Sequence, residues 1–160
     1  MSAPNARIRP ATVLDAPDLA AVHLQAWRER YGDLLPEDVY AERAEHGPGQ
    51  WEAMLADTAG PTTWIARRDG RAVGFAQATA PGAGEVRSLE LTYLVVLAAE
   101  QGRRTGTHLL QLAIGDAPCQ LWVLEGDERT IGFYGHHGFA PDGAHRPAFG
   151  GHLTEVRMLR

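Results

Sequence analysis

Near the start of the chain, the pattern of apolar positions changes from the two-residue period of a strand to the spacing of a helix. Residues 6–11 alternate polar and apolar side chains and include a proline, which predicts an edge strand. Thr12 and Asp15 have the spacing of a capping box, which opens a helix. Apolar side chains then recur at helical spacing at Leu19, Val22, Ala26 and Trp27.

Residues 31–36 interrupt this helical pattern with a glycine and a proline. A second helical stretch is predicted after Pro36, and a third one through Trp51, Met54 and Leu55.

The middle of the chain has the pattern of strands. Segments 63–67 and 72–76 flank Asp-Gly, which suits a tight hairpin turn because glycine accepts positive φ at little cost. After a second turn at 81–84, residues 86–97 predict a long apolar strand whose alternation is imperfect. That irregularity fits either a strand covered on both faces or a strand that carries a bulge.

The last third of the chain predicts a helix at 105–114, a short strand at 120–124, and a helix at 127–137 that ends at a glycine. A closing pair of strands is expected around Phe139 and residues 153–159. The order of elements indicates a mixed α/β layer around one sheet. Because no repeat or linker interrupts the pattern, residues 1–160 are expected to form a single domain.

Composition narrows the class of protein without fixing an activity. The 160 residues are 44% hydrophobic and 22% charged, as in an ordinary globular protein, and the net charge is −5. This charge argues against a partner that is nucleic acid. No stretch approaches the roughly 18 apolar residues of a membrane span, so no membrane partner is expected either.

Cys119 and residues 1–5 indicate the cellular compartment in which the protein is expected. Cys119 cannot form an intrachain disulfide, and it opens an apolar run, so we expect a buried structural thiol. Residues 1–5 lack a signal pattern, and a cytoplasmic location is expected. No set of cysteines and histidines has metal spacing, so no metal is expected.

Residues 99–107 join the long strand to the next helix and carry candidate chemistry. A helix N-terminus leaves N–H groups unpaired and has partial positive charge, and glycine lets its backbone approach an anion. Arg103 and Arg104 add fixed positive charge, so the turn resembles a pyrophosphate cradle. The glycine spacing is neither that of a dinucleotide fingerprint nor that of a P-loop. A plain helix start with solvated arginines is the alternative.

Two motifs resemble those of the GNAT superfamily of N-acetyltransferases. Residues 90–97 and 101–110 resemble its central motif, and residues 121–129 and 133–139 resemble its second motif. The resemblance covers nearly the whole chain in order. It implies a mixed, mostly antiparallel sheet of about six to seven strands with parallel, splayed fourth and fifth strands, flanked by about four helices.

The same resemblance implies how acetyl-CoA binds. In this family the cosubstrate enters the gap between the fourth and fifth strands, and its pantetheine arm pairs with the fourth. Leu94, Val95 and Val96 would lie beside that arm, and one of their N–H groups would polarise the thioester carbonyl. The turn that would hold the pyrophosphate consists of Gln101, Gly102, Arg103, Arg104, Thr105, Gly106 and Thr107.

Two residues depart from the family pattern. Arg104 stands where the motif usually has glycine, so it either bears the cost of positive φ or adds a phosphate contact. Asp127 stands where many members have asparagine, and it either contacts the cosubstrate or caps the following helix.

The chemistry requires a neutral amine and a proton for the leaving thiolate. Tyr134 aligns with the family's tyrosine near the thiolate, which implies a general acid; a core tyrosine is the alternative. Glu90 lies on the long strand, where some histone acetyltransferases of the superfamily carry a glutamate base. Either Glu90 or a water molecule would accept the proton of the amine.

The acceptor amine is expected between the first two helices and the central strands. Trp27, Tyr31, Tyr93 and Trp122 are candidates, as are Glu29 and Asp33, with core packing and solvation as the alternatives.

The implied activity is transfer of an acetyl group from acetyl-CoA to a primary amine of a small molecule in a ternary complex. A protein N-terminus or lysine is the alternative acceptor, and a non-catalytic CoA-binding regulatory domain is the alternative class. A homodimer is expected from the family alone.

Overall fold

The structure is a computed structural model that describes residues 5–160. Residues 1–4, on which part of the signal-pattern prediction rests, lie outside the described residues. The described helices are α1 (Ala16–Tyr31), α2 (Glu37–Ala56), α3 (Thr105–Ile114) and α4 (Glu128–His136). The described strands are β1 (Arg7–Pro10), β2 (Thr63–Arg68), β3 (Arg71–Thr79), β4 (Glu90–Val96), β5 (Gln120–Leu124), β6 (Ala140–Ala148) and β7 (Leu153–Leu159).

These strands form one sheet in the order β1-β2-β3-β4-β5-β7-β6. Every neighbouring pair is antiparallel except β4 and β5, which run parallel. Those two strands pair at a single position, Glu90 opposite Gln120, and separate beyond it. The expected mixed α/β fold with a parallel, splayed fourth and fifth strand is therefore confirmed.

Helices cover the sheet on both faces. The α1–α2 pair packs over β3 and β4, where Leu19, Trp51 and Phe75 belong to one buried apolar cluster. Helix α3 packs on the opposite face, where Leu110 and Leu121 belong to a second cluster. Burying apolar surface on both faces of the central strands explains why β4 has no strict alternation of polar and apolar residues.

The turns predicted from the sequence adopt the expected conformations. Asp69 and Gly70, between β2 and β3, have φ values of 51° and 78°, which are those of a tight primed hairpin turn. The N–H of Thr12 donates to the carboxylate of Asp15 at 2.8 Å, as in a capping box.

The prediction of two helices after Pro36 was wrong, because α2 runs without interruption from Glu37 to Ala56. Its internal Pro48 lacks an N–H and removes one backbone hydrogen bond. Tyr40 and Trp51 are nevertheless both buried along the same helix, at 2% and 1% exposure. Burial of these two aromatic side chains offsets the lost bond, since tertiary packing supplies most helical stability.

The strand predicted at 86–97 was too long, since β4 begins at Glu90. Before it, Val86 is exposed, and the N–H of Arg87 donates to the side chain of Gln120 instead of to a strand partner. Strand β4 also carries a bulge, which lies before its continuous apolar run: Tyr93 pairs with Gln77 and Leu91 pairs with Ala78, so one residue of β4 between them has no partner.

Two further findings concern the burial of the cysteine and the length of the helices. Cys119 is fully buried, as predicted, and its burial raises the pKa of the thiol. Across residues 5–160, no helix has both the length and the apolar character needed to cross a membrane.

Candidate active site

The separation of β4 from β5 leaves one edge of β4 without a backbone partner. Strand β4 pairs with β3 at six positions but with β5 at one. The N–H of Leu97 donates to the carbonyl of Val73 on β3 at 3.0 Å, and residues along a strand alternate between its two edges. The N–H of Val95 therefore faces β3, whereas the N–H groups of Leu94 and Val96 face the gap.

The turn after β4 ends at a helix start that has no side-chain cap. Gly102 and Arg104 have φ values of 80° and 65°, and α3 begins at Thr105. The position of Arg104 thus requires the positive φ that favours glycine. Its side chain makes no capping bond, and the N–H groups of Thr105, Gly106 and Thr107 have no acceptor within the helix.

A buried carboxylate holds this turn in place. Glu100 is 3% exposed and accepts bonds from Arg68 Nη2 at 2.6 Å, Arg68 Nε at 2.9 Å and Thr105 Oγ1 at 2.7 Å. The hydrogen bonds from Arg68 lower the pKa of Glu100. Glu100 therefore joins β2 to the first residue of α3, a role that the sequence analysis missed.

Glu29 also supports the turn instead of pointing to an acceptor. Its Oε2 accepts the N–H of Ala98 at 2.8 Å, which connects the last part of α1 to the residues that follow β4. Asp33 is exposed in the short turn between α1 and α2.

Tyr134 of α4 is buried on the face of the sheet that α3 covers. It is 7% exposed, and its ring contacts Phe133 and Phe139 at centroid distances of 5.3 and 5.7 Å. Burial raises the pKa of the phenol, and Arg30 and Tyr31 lie within electrostatic range of it. The phenol is therefore protonated at neutral pH.

Asp127 caps α4. Its Oδ1 accepts the N–H of Thr130 at 3.1 Å, and its Oδ2 accepts the hydroxyl of the same residue at 2.7 Å. Of the two alternatives for Asp127, capping is thus observed.

Glu90 lies at the closed end of the gap, at the one position where β4 and β5 pair. One of its carboxylate oxygens accepts Gln120 Nε2 at 3.0 Å. The glutamate is thus oriented by a neutral amide and belongs to the same strand as Leu94 and Val96.

Aromatic residues of α1 meet a ring from the connection between β6 and β7. Phe149 lies 4.9 Å from both Trp27 and Tyr31, measured between ring centroids. Its φ of 52° lies in the left-handed region and precedes two glycines with positive φ. Phe149 was missed because the adjacent glycines alone indicate only a loop.

The two remaining candidates for contact with the acceptor amine lie in different parts of the structure. Tyr93 contacts His23, whose ring also contacts Trp27, with centroid distances of 5.2 and 5.1 Å. Trp122 lies apart from them on β5, with the guanidinium carbons of Arg146 and Arg157 at 4.3 and 5.7 Å from its ring centroid. The structure therefore groups Trp27, Tyr31 and Tyr93 but not Trp122.

No cluster of three or more histidine, cysteine or acidic side chains within residues 5–160 has the arrangement of a metal site.

A mixed seven-stranded sheet with a gap between parallel fourth and fifth strands, and an uncapped helix start at the end of that gap, defines a class of acyltransferases. The model of the acetyltransferase (GNAT) family matches residues 20–139 of the chain. The chain therefore belongs to the acetyltransferase (GNAT) family and is an acyltransferase.

Individual relatives agree with this assignment. The chain is 28% identical over 150 residues to the probable N-acetyltransferase Rv2775 of Mycobacterium tuberculosis, which covers 89% of this chain and 84% of that protein. Its fold matches the PaiA N-acetyltransferase of Thermoplasma acidophilum in complex with coenzyme A, with a TM-score of 0.72 and 17% identity over 100% and 99% of the two chains. It also matches ribosomal-protein-alanine N-acetyltransferase of Brucella melitensis, with a TM-score of 0.69 and 24% identity over 96% and 98%.

Proposed function

We propose that the enzyme transfers the acetyl group of acetyl-CoA to a primary amine of a small molecule, by direct attack in a ternary complex. The observation that carries this proposal is the unpaired edge of β4, where the N–H groups of Leu94 and Val96 face the gap. An extended amide-containing arm could pair with that edge as an added strand does. The Thermoplasma relative of the same fold was solved with coenzyme A.

The residues beyond the gap suit the rest of the cosubstrate. The uncapped start of α3 offers N–H groups and partial positive charge to a diphosphate, and Gly102 removes side-chain bulk from the turn. Arg103 and Arg104 are both exposed beside that helix start, where they add positive charge. We therefore assign the diphosphate to residues 101–107.

Within the gap, the residues divide the chemical tasks. When bound, the thioester supplies the activated acetyl group. We assign polarisation of its carbonyl to an N–H of Leu94 or Val96, because a fixed backbone donor stabilises developing negative charge. Val95, whose N–H faces β3, contributes its half-buried side chain to the wall and not a donor.

Tyr134 is the proposed general acid. Its buried phenol has a raised pKa and is therefore protonated at neutral pH. As the amine attacks and the C–S bond breaks, negative charge develops on the sulfur, and the phenol donates its proton to the leaving thiolate. Glu90, or a water molecule near it, accepts the proton of the amine.

The amine is proposed to enter between α1 and the β6–β7 connection, past Trp27, Tyr31 and Phe149. Tyr93 forms the floor of this region through its contact with His23. The Brucella relative is named as a ribosomal-protein-alanine N-acetyltransferase, so a protein or peptide remains the alternative acceptor.

The proposal is tested by thiol release from acetyl-CoA with a panel of small primary amines and short peptides. We expect at least one small amine to give steady turnover, and peptides with matched N-termini to react more slowly. Calorimetry with CoA distinguishes an enzyme from a non-catalytic binding domain. Binding of CoA without turnover on any amine would identify the binding domain. The absence of CoA binding would overturn the proposal altogether.

A further inference from the structure

A buried cluster around His23 contains more hydrogen-bond donors than acceptors. His23 is 3% exposed in α1, and Arg43 of α2 donates to its Nδ1 through Nη2 at 2.9 Å. A second guanidinium nitrogen, Nη1, donates to Gln50 at 2.9 Å. The remaining one, Arg43 Nε, is buried without a partner, and so is Nε1 of Trp51, whose side chain is 1% exposed. Such unpaired buried donors are uncommon and require an explanation.

His23 does not balance the charge of Arg43. A guanidinium has donors only, so Nδ1 of His23 acts as the acceptor and the imidazole is neutral. Burial, together with the charge of Arg43, lowers the pKa of His23 to about 3. The pair therefore carries one net positive charge at neutral pH, surrounded by aromatic rings.

Arg43 differs from two other partly buried arginines, which have carboxylate partners. Arg67 bonds to Asp15 at 2.7 Å, and Arg68 bonds to Glu100 at 2.6 Å. None of the ion pairs found within residues 5–160 contains Arg43, and burial lowers the pKa of its guanidinium. Holding a partly buried cation without a counter-ion is costly, and an anionic ligand would offset that cost.

The guanidinium also lies against the proposed entrance for the amine. Its central carbon is 5.4 Å from the centroid of the Trp27 ring, and the same ring contacts Phe149 at 4.9 Å. Tyr93 of β4 lies within electrostatic range of Arg43. The unbalanced positive charge of Arg43 therefore lies over an indole that forms part of the aromatic wall of the acceptor region.

We propose that Arg43 binds a carboxylate of the acceptor, so that the substrates are amines that also carry a carboxylate group, such as α-amino acids. This proposal rests on the proposed acetyl transfer, and it names the class of acceptor. Arg43 suits the role because its Nε–H has no partner and Nη1 and Nη2 each keep a second N–H, so its planar fork can still bind both oxygens of a carboxylate. Trp51 Nε1 is a further donor beside the same imidazole.

Pairs of N-acetylated products, which cannot be acetylated again at the same nitrogen, test recognition of the carboxylate separately from catalysis. N-acetylphenylalanine and N-acetylphenethylamine differ only by the carboxylate, as do the corresponding derivatives of histidine and histamine. By calorimetry in the presence of CoA, we expect the carboxylated member of at least one pair to bind 10-fold or more tightly than its partner. Equal binding within both pairs, or no binding of either carboxylated member at millimolar concentration, would overturn the proposal.

A substitution assigns the preference to Arg43. Arg43→Met keeps an unbranched side chain as far as the position of Nε and removes the charge and all the donors, and it should equalise the two members of each pair. Arg71→Met removes an exposed arginine of β3 and should leave the preference unchanged. Retention of the full preference in folded Arg43→Met would contradict the assignment; if that variant does not fold, Arg43→Lys, which lacks the planar fork, should reduce the preference severalfold.

Turnover distinguishes failure of this proposal from failure of the proposed function. If acetyl transfer is wrong, no amine releases thiol, whereas the carboxylate preference in binding persists. If only the role of Arg43 is wrong, phenethylamine and phenylalanine release thiol at similar rates, and Arg43→Met does not change their ratio.

Discussion

The two halves of the proposed active site are built from different parts of the chain. The donor half (residues 94–107) is one continuous segment that offers the N–H groups of Leu94 and Val96 at the gap and the unpaired N–H groups at the start of α3. The acceptor half (Trp27, Tyr31, Arg43, Tyr93 and Phe149) brings together side chains from α1, α2, β4 and the β6–β7 connection. A backbone N–H group can bind the cosubstrate whatever its own side chain is, whereas contact with aromatic rings depends on the identity of each residue. Specificity for the amine is therefore expected to reside in the acceptor half.

The largest effect is expected from removing the hydroxyl that serves the donor half. Tyr134→Phe keeps the buried ring and its contacts with Phe133 and Phe139. Without a general acid, kcat should fall by about 10²-fold or more, which is the usual contribution of a positioned proton donor. Thiol release at saturating substrate measures this loss, and calorimetry should show unchanged CoA binding. Turnover near that of the wild type would remove Tyr134 from the mechanism.

Substitution of Glu100 tests whether this carboxylate holds the turn of the donor half in place. Glu100→Gln removes the charge that Arg68 and Thr105 bind, and it should lower the free energy of unfolding by about 2 kcal/mol, in the range of hydrogen bonds to charged groups. Because the turn loses its anchor, CoA should also bind more weakly.

A matched control is Glu37→Gln, which breaks the exposed ion pair between Glu37 and Arg28. That change should lower the free energy of unfolding far less than Glu100→Gln does, because exposed ion pairs contribute little to stability. Denaturant unfolding of both variants measures the difference, and equal losses would contradict an anchoring role for Glu100.

The acceptor half is tested at Phe149. Phe149→Gly deletes the ring that contacts Trp27 and Tyr31 and suits the local φ of 52° without strain. We expect KM for the amine to rise about 10-fold with little change in kcat, because the lost contact serves binding in both ground and transition states. Phe149→Leu should restore part of the loss. An unchanged KM would place the amine elsewhere.

The smallest effect is expected at Arg104, where loss of the backbone strain should stabilise the fold and loss of the positive charge should weaken CoA binding. Arg104→Gly removes a non-glycine residue with φ of 65° and should raise the free energy of unfolding by about 1 kcal/mol. It should also weaken CoA binding a few-fold through the lost positive charge. Arg103→Gly loses the same charge at a residue without positive φ, so it should weaken binding without stabilising the fold. Equal effects of the two variants on stability would contradict the strain at Arg104.

The donor half could be predicted from the sequence because its signals are local. Helix α3 and strand β5 begin and end at the predicted residues, and β4 is covered on both faces and also carries a bulge. Glycine positions and the helix start identify the turn at 101–107 without any knowledge of its neighbours.

The acceptor half could not be predicted in the same way, because it depends on distant residues. Arg43 lies in a single long helix where two helices were predicted, and Phe149 reaches α1 from the far end of the chain. The buried role of Glu100 depends on Arg68, thirty-two positions away. Glu29 was placed near the amine but binds the backbone of Ala98. These contacts arise from tertiary packing, which leaves no periodic signal in the sequence.

Amide hydrogen exchange of β4, measured by NMR with and without CoA, tests the central claim most directly. In the free enzyme, the N–H of Val95 should exchange slowly because it faces β3, whereas those of Leu94 and Val96 should exchange faster. Addition of CoA should slow exchange at Leu94, Val96 or both and leave Val95 unchanged. Exchange at Leu94 and Val96 that is unaffected by saturating CoA would contradict the account.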